Sequence, residues 1–382
     1  MAHCNTIFHQ MLKLIPRHHF GKLETEHGTG RKARSFTRWS QLVHLLSMQL
    51  TARVSLRDGV SSLKARIKSL YHLGVKPVPR STFADANNQR PASFYEALFS
   101  LMYRRCQPLT PKHKFKFKNK LFSLDATVVS LCLSLYPWAS FRRTKGGIKL
   151  HTLLDHDGYL PAFVAVSPAR EPDIKKARSL SLPKGSIVVE DLGYTDYAWY
   201  AQLTAQKIFF VTRQKRNARY AVLEHRKVNK SQGLLSDQTI RLPGEECPVP
   251  LRRIAYRDAA TGRRYVYLTN HFKLAAKTIA EIYKERWQIE IFFRFIKQNL
   301  KIKAFIGNSE NAVLTQIYAA LIVYLLLCYL KFMCNLSITL QNCLRILQLN
   351  LFRTCTWQEL LEPSDMIVDN MCHPKQLTLA LA

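Results

Sequence analysis

The stretch YKERWQIEIFFRFIKQNL, residues 283–300, contains no proline or glycine, and its apolar residues recur at helical intervals. On a wheel of about 100° per residue, Tyr283, Arg286, Glu290 and Lys297 fall within an arc of roughly 60°. Ile289, Phe292, Phe293, Phe295 and Ile296 cover much of the remainder. A helix this apolar with one narrow polar stripe, a carboxylate set among cations, is expected to present that stripe to a charged site or partner. A plainer reading stands beside it. Arg286, Glu290 and Arg294 are spaced i, i+4, i+8, as in a surface ion-pair ladder worth about 0.2–0.5 kcal/mol per pair.

Outward from this helix, the totals bound the answer. A chain of 382 residues suggests two or three domains, and a hydrophobic fraction of 47% is ample for globular folding. Lys and Arg number 57 against 26 Asp and Glu, a formal charge of +31. That imbalance says nothing of fold but predicts attraction to polyanions, nucleic acid first and anionic membrane second. The nine cysteines are scattered singly, with no C-x-x-C pair. This argues against a zinc module or a disulfide framework and fits a reducing cytoplasm. The opening MAHCNTIFHQMLKLIP lacks a cationic start followed by an apolar run, so no secretory signal is expected. Residues 311–330, NAVLTQIYAALIVYLLLCYL, are uncharged and long enough to span a bilayer. Asn311, Thr315 and Gln316 interrupt them, and a buried core helix is the expectation, with no membrane partner.

The excess charge is concentrated early. Residues 1–120 carry 22 Lys or Arg and 5 Asp or Glu. Helices are expected over 40–50, with Ser40 as a cap, over 58–74, ending at Gly74, and from 79 into PASFYEALFSLMYRRC. Short helices with basic surfaces suit a DNA-binding bundle, although a charge run is also what a solvated face looks like. After the basic linker PKHKFKFKNK (111–120) the texture changes. LFSLDATVVSL (121–131) reads as a strand. GIKLHTLLD and YLPAFVAVSP, joined by HDG, read as a hairpin. SIVVED (186–191) is a short apolar strand with a helix after it. Strands are expected again at IFFVTR, IRLP, LRRIAYRD and RRYVYLTN, before helices resume at KLAAKTIAEIYKERW.

Three acids sit where an acid has little structural reason to be. Asp125 lies inside an otherwise buried strand, Asp191 ends another, and Glu290 lies on the polar stripe. A buried carboxylate needs a partner or a metal to offset its lost hydration. Three that converge form an oxygen-rich seat suited to Mg²⁺ or Mn²⁺, and two such ions support phosphodiester displacement. Each acid also has an ordinary explanation: Asp125 in a bulge, Asp191 capping the following helix, Glu290 in the ion-pair ladder. Asp155, Asp157 and Asp173 are weaker candidates in turn or loop context.

The 283–300 stretch resembles the signature of DDE transposases of the insertion-sequence-four family, Y-x-x-R-x-x-x-E-x-x-x-x-x-x-K. Tyr283, Arg286, Glu290 and Lys297 match it at every spacing. SLDATVV and VVEDLGYTD stand upstream in the required order, and the resemblance covers most of residues 35–330. It implies a mixed α/β fold: an RNase H-like catalytic core with a β-rich insertion, preceded by a helical amino-terminal DNA-binding domain. The implied division is 1–115 for the basic helical domain, 116–203 and 273–345 for the core, and 204–272 for the insertion, with 346–382 a tail of unknown role. By resemblance, Asp125, Asp191 and Glu290 are catalytic and hold two divalent ions, Mg²⁺ or Mn²⁺. Cleavage at the element's end frees a 3′-hydroxyl, which then attacks target DNA. Tyr283, Arg286 and Lys297 would meet phosphates, and so would Arg213 and Lys215 on the insertion. Partners would be double-stranded DNA, both inverted-repeat ends and target, and a second copy in a synaptic dimer, in a bacterial cytoplasm at the nucleoid. Some relatives stack a flipped base on a tryptophan of the insertion. No Trp lies between Tyr200 and Arg286 here, leaving Tyr265 or Tyr267 for that role or leaving it empty. A non-catalytic DNA-binding relative and an RNase H-fold nuclease without strand transfer are the competing expectations.

Overall fold

The computed structural model describes residues 5–361 apart from 29–32, 34, 143, 144, 245, 246, 301 and 303. Part of the 346–382 tail, residues 362–382, therefore lies outside the described residues.

Alternating and β-branched stretches become strands of one ten-stranded sheet. They are β1 (Leu121–Leu131), β2 (Ser140–Arg142), β3 (Lys145–Asp155), β4 (Leu160–Pro168) and β5 (Ile187–Glu190), followed by β6 (Phe209–Arg213), β7 (Ala221–Arg226), β8 (Leu234–Arg241), β9 (Leu251–Arg257) and β10 (Arg264–Thr269). β3 pairs antiparallel with both β1 and β4. The β3–β4 turn is the expected one, and Gly158 there has φ +70, a conformation only glycine adopts without strain. β1 then pairs parallel with β5, and β5 parallel with β6. Three antiparallel strands followed by two parallel ones, in the order β4-β3-β1-β5-β6, make an RNase H-like core. β10, β9, β8 and β7 extend the same sheet as an antiparallel meander. Two strands were not legible in the sequence: the short β2, and β7, which is exposed along its length and carries no alternation.

Period-two alternation gives the core sheet two different faces. Phe122, Leu124, Val188 and Phe210 point to one face, where they pack under the Tyr197–Ala205 helix with Trp199 and Tyr200. Leu121, Ile187, Val189 and Val211 point to the other, against Ile279 and Ile282 of the Ala276–Glu285 helix. On this second side the Trp287–Asn299 helix and the long Glu310–Met333 helix join an apolar cluster that also takes in the amino-terminal helices, from Ile7 to Phe99. The 311–330 segment is the core helix expected: it is long and apolar enough to cross a membrane, but 89% of its most apolar stretch is buried inside the chain.

Three local expectations are corrected. Thr37, not Ser40, caps the Arg38–Leu50 helix, its hydroxyl accepting from the Ser40 amide. The helix expected over 58–74 divides into Leu56–Lys64 and Ile67–His72, because residues 64–68 are all exposed and no buried side chain holds the axis through them. The 283–300 stretch is likewise not one straight helix. It breaks at Arg286, where i→i+3 bonds replace the regular ladder. The Ala276–Glu285 helix is drawn onto the sheet by Ile279 and Ile282, the Trp287–Asn299 helix onto Glu310–Met333 by Ile289, Phe292 and Ile296.

Candidate active site

Register places the first two acids. Leu124 of β1 is paired with Glu190 of β5, so the next residues, Asp125 and Asp191, stand level on adjacent parallel strands. The spacing of such strands is about 4.8 Å. Val189 is paired with Val211 of β6, which puts Arg213 level with Asp191 in the same row. Alternation directs all three toward the face covered by the Ala276–Glu285 and Trp287–Asn299 helices. The row lies at the carboxyl ends of the parallel strands, where ligand sites of mixed sheets form. Glu190, one residue before Asp191, points to the opposite face and is fully buried. Burial pushes its carboxyl well above the usual range. Period two alone separates it from Asp191.

The bulge reading of Asp125 does not hold, since the β1–β3 register runs unbroken through its pair Thr152. Its Oδ1 accepts from the Ala126 amide at 2.8 Å. Asp191 does cap, but it caps the short Leu192–Tyr194 turn, accepting from the Gly193 amide at 2.7 Å. The following helix is capped by Asp196.

Glu290 enters on the first turn of the Trp287–Asn299 helix, and Arg286 at the break joins the two sides. One guanidinium nitrogen donates to Asp125 Oδ2 at 2.8 Å and another to Glu290 Oε1 at 3.1 Å. The ion-pair rung read from the i, i+4 spacing is therefore present, but it is bound to a half-buried strand acid and does not stand alone on the surface. Tyr283 packs on Tyr267, ring centroids 5.1 Å apart, with the Arg286 guanidinium 6.0 Å from its own ring. Lys297, two turns beyond Glu290, donates to Thr127 Oγ1 at 2.5 Å and to the Val128 carbonyl at 2.9 Å. Thr127 shares a face with Asp125, a partner that the alternation of SLDATVV would have indicated. Asp125, Thr127, Glu290, Arg294, Lys297 and Gln298 line one open cleft. Arg213 lies over the Tyr265 ring, 5.4 Å from its centroid, and Lys215 is exposed. Asp155 and Asp157 serve elsewhere: both accept from Lys120, tying the 111–120 segment to the β3–β4 turn.

Electrostatically, charge on Asp125 is disfavoured. Burial pushes the Asp125 carboxyl up to about 6, and the charges of Asp191 and Glu290 add to the rise. Arg286 and the Ala126 amide oppose it without overcoming it. Among the described residues, no three acidic, His or Cys side chains already stand close enough to grip one ion. The Arg286 guanidinium joins two of the acids, Asp125 and Glu290. Three carboxylates, two level on adjacent strands and one across from them on a helix, are oxygen donors of the kind a hard divalent ion takes.

An RNase H-like sheet with an acidic row at the ends of its parallel strands defines an enzyme that processes nucleic acid. Residues 116–326 match the family described as transposase DDE domain, and the chain belongs to that family: it is a DNA transposase, and its class works with divalent metal ions. Residues 3–76 match a domain of unknown function (DUF4372). The chain is 35% identical over 251 residues to the putative transposase y4zB of Sinorhizobium fredii, covering 64% of this chain and 69% of that one. It is 28% identical over 330 residues to the probable transposase for insertion sequence element IS5377 of Geobacillus stearothermophilus, covering 85% of each. A solved structure of the piggyBac transposase synaptic complex with hairpin DNA aligns with 91% of this chain and 78% of that chain, at 10% identity and a TM-score of 0.44, a remote likeness.

Proposed function

We propose that this transposase moves its element by cut and paste: metal-dependent cleavage at the insertion-sequence ends, then strand transfer into target DNA. Asp125, Asp191 and Glu290 are the catalytic acids and hold two divalent ions, Mg²⁺ or Mn²⁺. When bound, the ions activate the attacking oxygen and stabilise the leaving oxygen of an in-line displacement. The chain's own residues supply position and charge. Asp125 and Asp191 are fixed by the register of β1 and β5, and Glu290 closes from the helix. Arg286, paired here with Asp125 and Glu290, would meet a phosphate beside the scissile bond. Tyr283, Lys297 and Arg213 hold the neighbouring backbone, with Lys215 farther along the insertion.

Around this centre we assign 1–115 to DNA binding, 116–203 and 273–345 to the catalytic core and 204–272 to an insertion that meets DNA. Two chains pair the two inverted-repeat ends, in a bacterial cytoplasm at the nucleoid. The observation that carries the reading is the level placement of Asp125 and Asp191 on adjacent parallel strands, with Glu290 joined to Asp125 through Arg286. Glu290→Gln tests it. With a duplex bearing the inverted repeats that flank the gene, the variant is expected to lose Mg²⁺-dependent cutting and keep DNA binding. Cutting at the wild-type rate by this variant refutes the assignment, and binding without cutting by the wild type returns the protein to the non-catalytic reading.

A further inference from the structure

The break at Arg286 aims the helix that carries Glu290, and it lies in a stretch with no apolar anchor. Between Ile282 and Ile289 no side chain is fully buried. The regular helical ladder also lapses there, the Arg286 amide donating to the Tyr283 carbonyl and the Ile289 amide to that of Arg286. Tyr283 leans on Tyr267, Lys284 reaches Asp258 only at 3.7 Å, and Arg286 is engaged with the acids themselves. Glu285, the last residue of the Ala276–Glu285 helix, is held from outside the site. Its side chain is 12% exposed, and its two oxygens accept from different parts of the fold. Oε1 takes the ammonium of Lys114, in the basic segment 111–120. Oε2 takes the Tyr159 hydroxyl at 3.2 Å, from the β3–β4 turn. Both donors are themselves fixed. Phe115 and Phe117, stacked 5.3 Å apart, pack on the cluster of Ile279 and Ile282, and Lys112 and Lys120 tie the segment to Asp157 at 3.0 and 2.7 Å. Tyr159 has φ +54, a left-handed conformation that a residue bearing a side chain keeps only where its surroundings impose it. Here the Tyr324 hydroxyl of the long core helix donates to its carbonyl at 3.0 Å. Burial, then the charge of Glu285, pushes the Tyr159 phenol up to about 12, so it remains a donor at neutral pH.

We infer that Lys114 and Tyr159 are positioning residues: together they hold Glu285, and Glu285 sets the break from which Glu290 faces Asp125 and Asp191. This rests on the reading of Glu290 as a catalytic acid, and it gives the 111–120 segment a task beyond joining the amino-terminal helices to β1. The ion pair is a weak source of stability. Its lysine is 62% exposed, and a pair with one partner in water adds little to folding. Its effect is geometric. Glu290 lies four residues past Arg286, about 6 Å along the axis at the usual helical rise. A tilt of about 10° at the break therefore displaces it by about 1 Å. A misplacement of that size in a reacting group costs about a hundredfold in rate.

The test uses the full chain and a duplex bearing the inverted repeats that flank the gene. Lys114→Met, Lys114→Arg, Glu285→Gln, Tyr159→Phe and Glu290→Gln are compared with the wild type. Single-turnover cutting is read at saturating DNA, so that a change in DNA affinity does not enter, and Mn²⁺ binding is read without DNA by electron paramagnetic resonance. Lys114→Met and Tyr159→Phe are expected to cut about tenfold more slowly or worse and to bind Mn²⁺ about tenfold more weakly, as removal of a support behind a metal ligand commonly does. Their melting temperatures should stay near wild type. Glu285→Gln loses the ion pair and keeps the Tyr159 bond, so it should resemble Lys114→Met, whereas Lys114→Arg keeps the charge and should retain both rate and Mn²⁺ affinity. Wild-type rates and Mn²⁺ affinities in Lys114→Met and Tyr159→Phe, while Glu290→Gln no longer cuts, overturn the inference. So does slower cutting that follows a lowered melting temperature with Mn²⁺ affinity unchanged, which makes these contacts structural only. If Glu285→Gln or Tyr159→Phe does not fold, the exposed Lys114→Met decides by the same two measurements. Failure of the catalytic reading would appear separately, as cutting at the wild-type rate by Glu290→Gln.

Discussion

Asp125→Asn offers a direct measure of how unfavourable the charge on Asp125 is in the metal-free chain. Its carboxyl, held at about 6 against an ordinary 3.8, stays protonated in the folded chain over a range where the unfolded chain has ionised. The facing groups are Arg286 at the helix break, Glu290 beyond it, Asp191 on β5 and the Ala126 amide. A raised carboxyl contributes nothing unfavourable below about pH 4, costs stability as pH rises toward 6, and costs a constant amount above it. That constant is about 3 kcal/mol, from 1.36 kcal/mol for each pH unit between the two values. Asn imitates the protonated acid, and the value of about 6 already includes the attraction of Arg286, so about 3 kcal/mol is the ceiling on the gain. Denaturation of both proteins in EDTA from pH 4.5 to 8 should show Asp125→Asn increasingly more stable up to about pH 6, with a flat difference above. Added Mg²⁺ should then stabilise the wild type, by about 2.7 kcal/mol at a hundred times its dissociation constant, and the variant less. A difference that does not vary with pH, or a variant less stable than wild type at pH 8, refutes the reasoning.

Asp157 titrates in the opposite direction. Burial raises its carboxyl, but hydrogen bonds from Lys120, Lys112 and the His113 amide outweigh that and hold it at about 2. The stability it gives is present above about pH 4 and lost as pH falls through about 2, so Asp157→Asn should cost about 2 kcal/mol at neutral pH and progressively less in acid, read by urea denaturation. Arg286→Ala removes the cation shared by Asp125 and Glu290. DNA affinity should fall and its salt slope become shallower by about 0.9, and an unchanged titration would remove Arg286 from the phosphate contacts.

The sequence by itself determined the features that depend on spacing along the chain. Helical period placed Arg286 and Glu290 on one stripe, alternation marked β1 as a strand with an acid inside it, the apolar run SIVVED marked β5 as a strand with an acid at its end, and the lone apolar run at 311–330 read as a core helix because polar residues broke it. It did not determine the break at Arg286, the exposed strand β7 or the separation of Glu190 from Asp191 into different environments. Those depend on which layer each half of a segment is drawn to, and packing against distant residues sets that. The level pairing of Asp125 with Asp191 comes from a strand register between segments more than sixty residues apart. The guanidinium that joins Asp125 to Glu290 crosses from a helix to a strand 161 residues away. Local periodicity is written in the order of residues, whereas register and counter-charge exist only once the sheet has closed and desolvation has made an unpaired carboxylate costly.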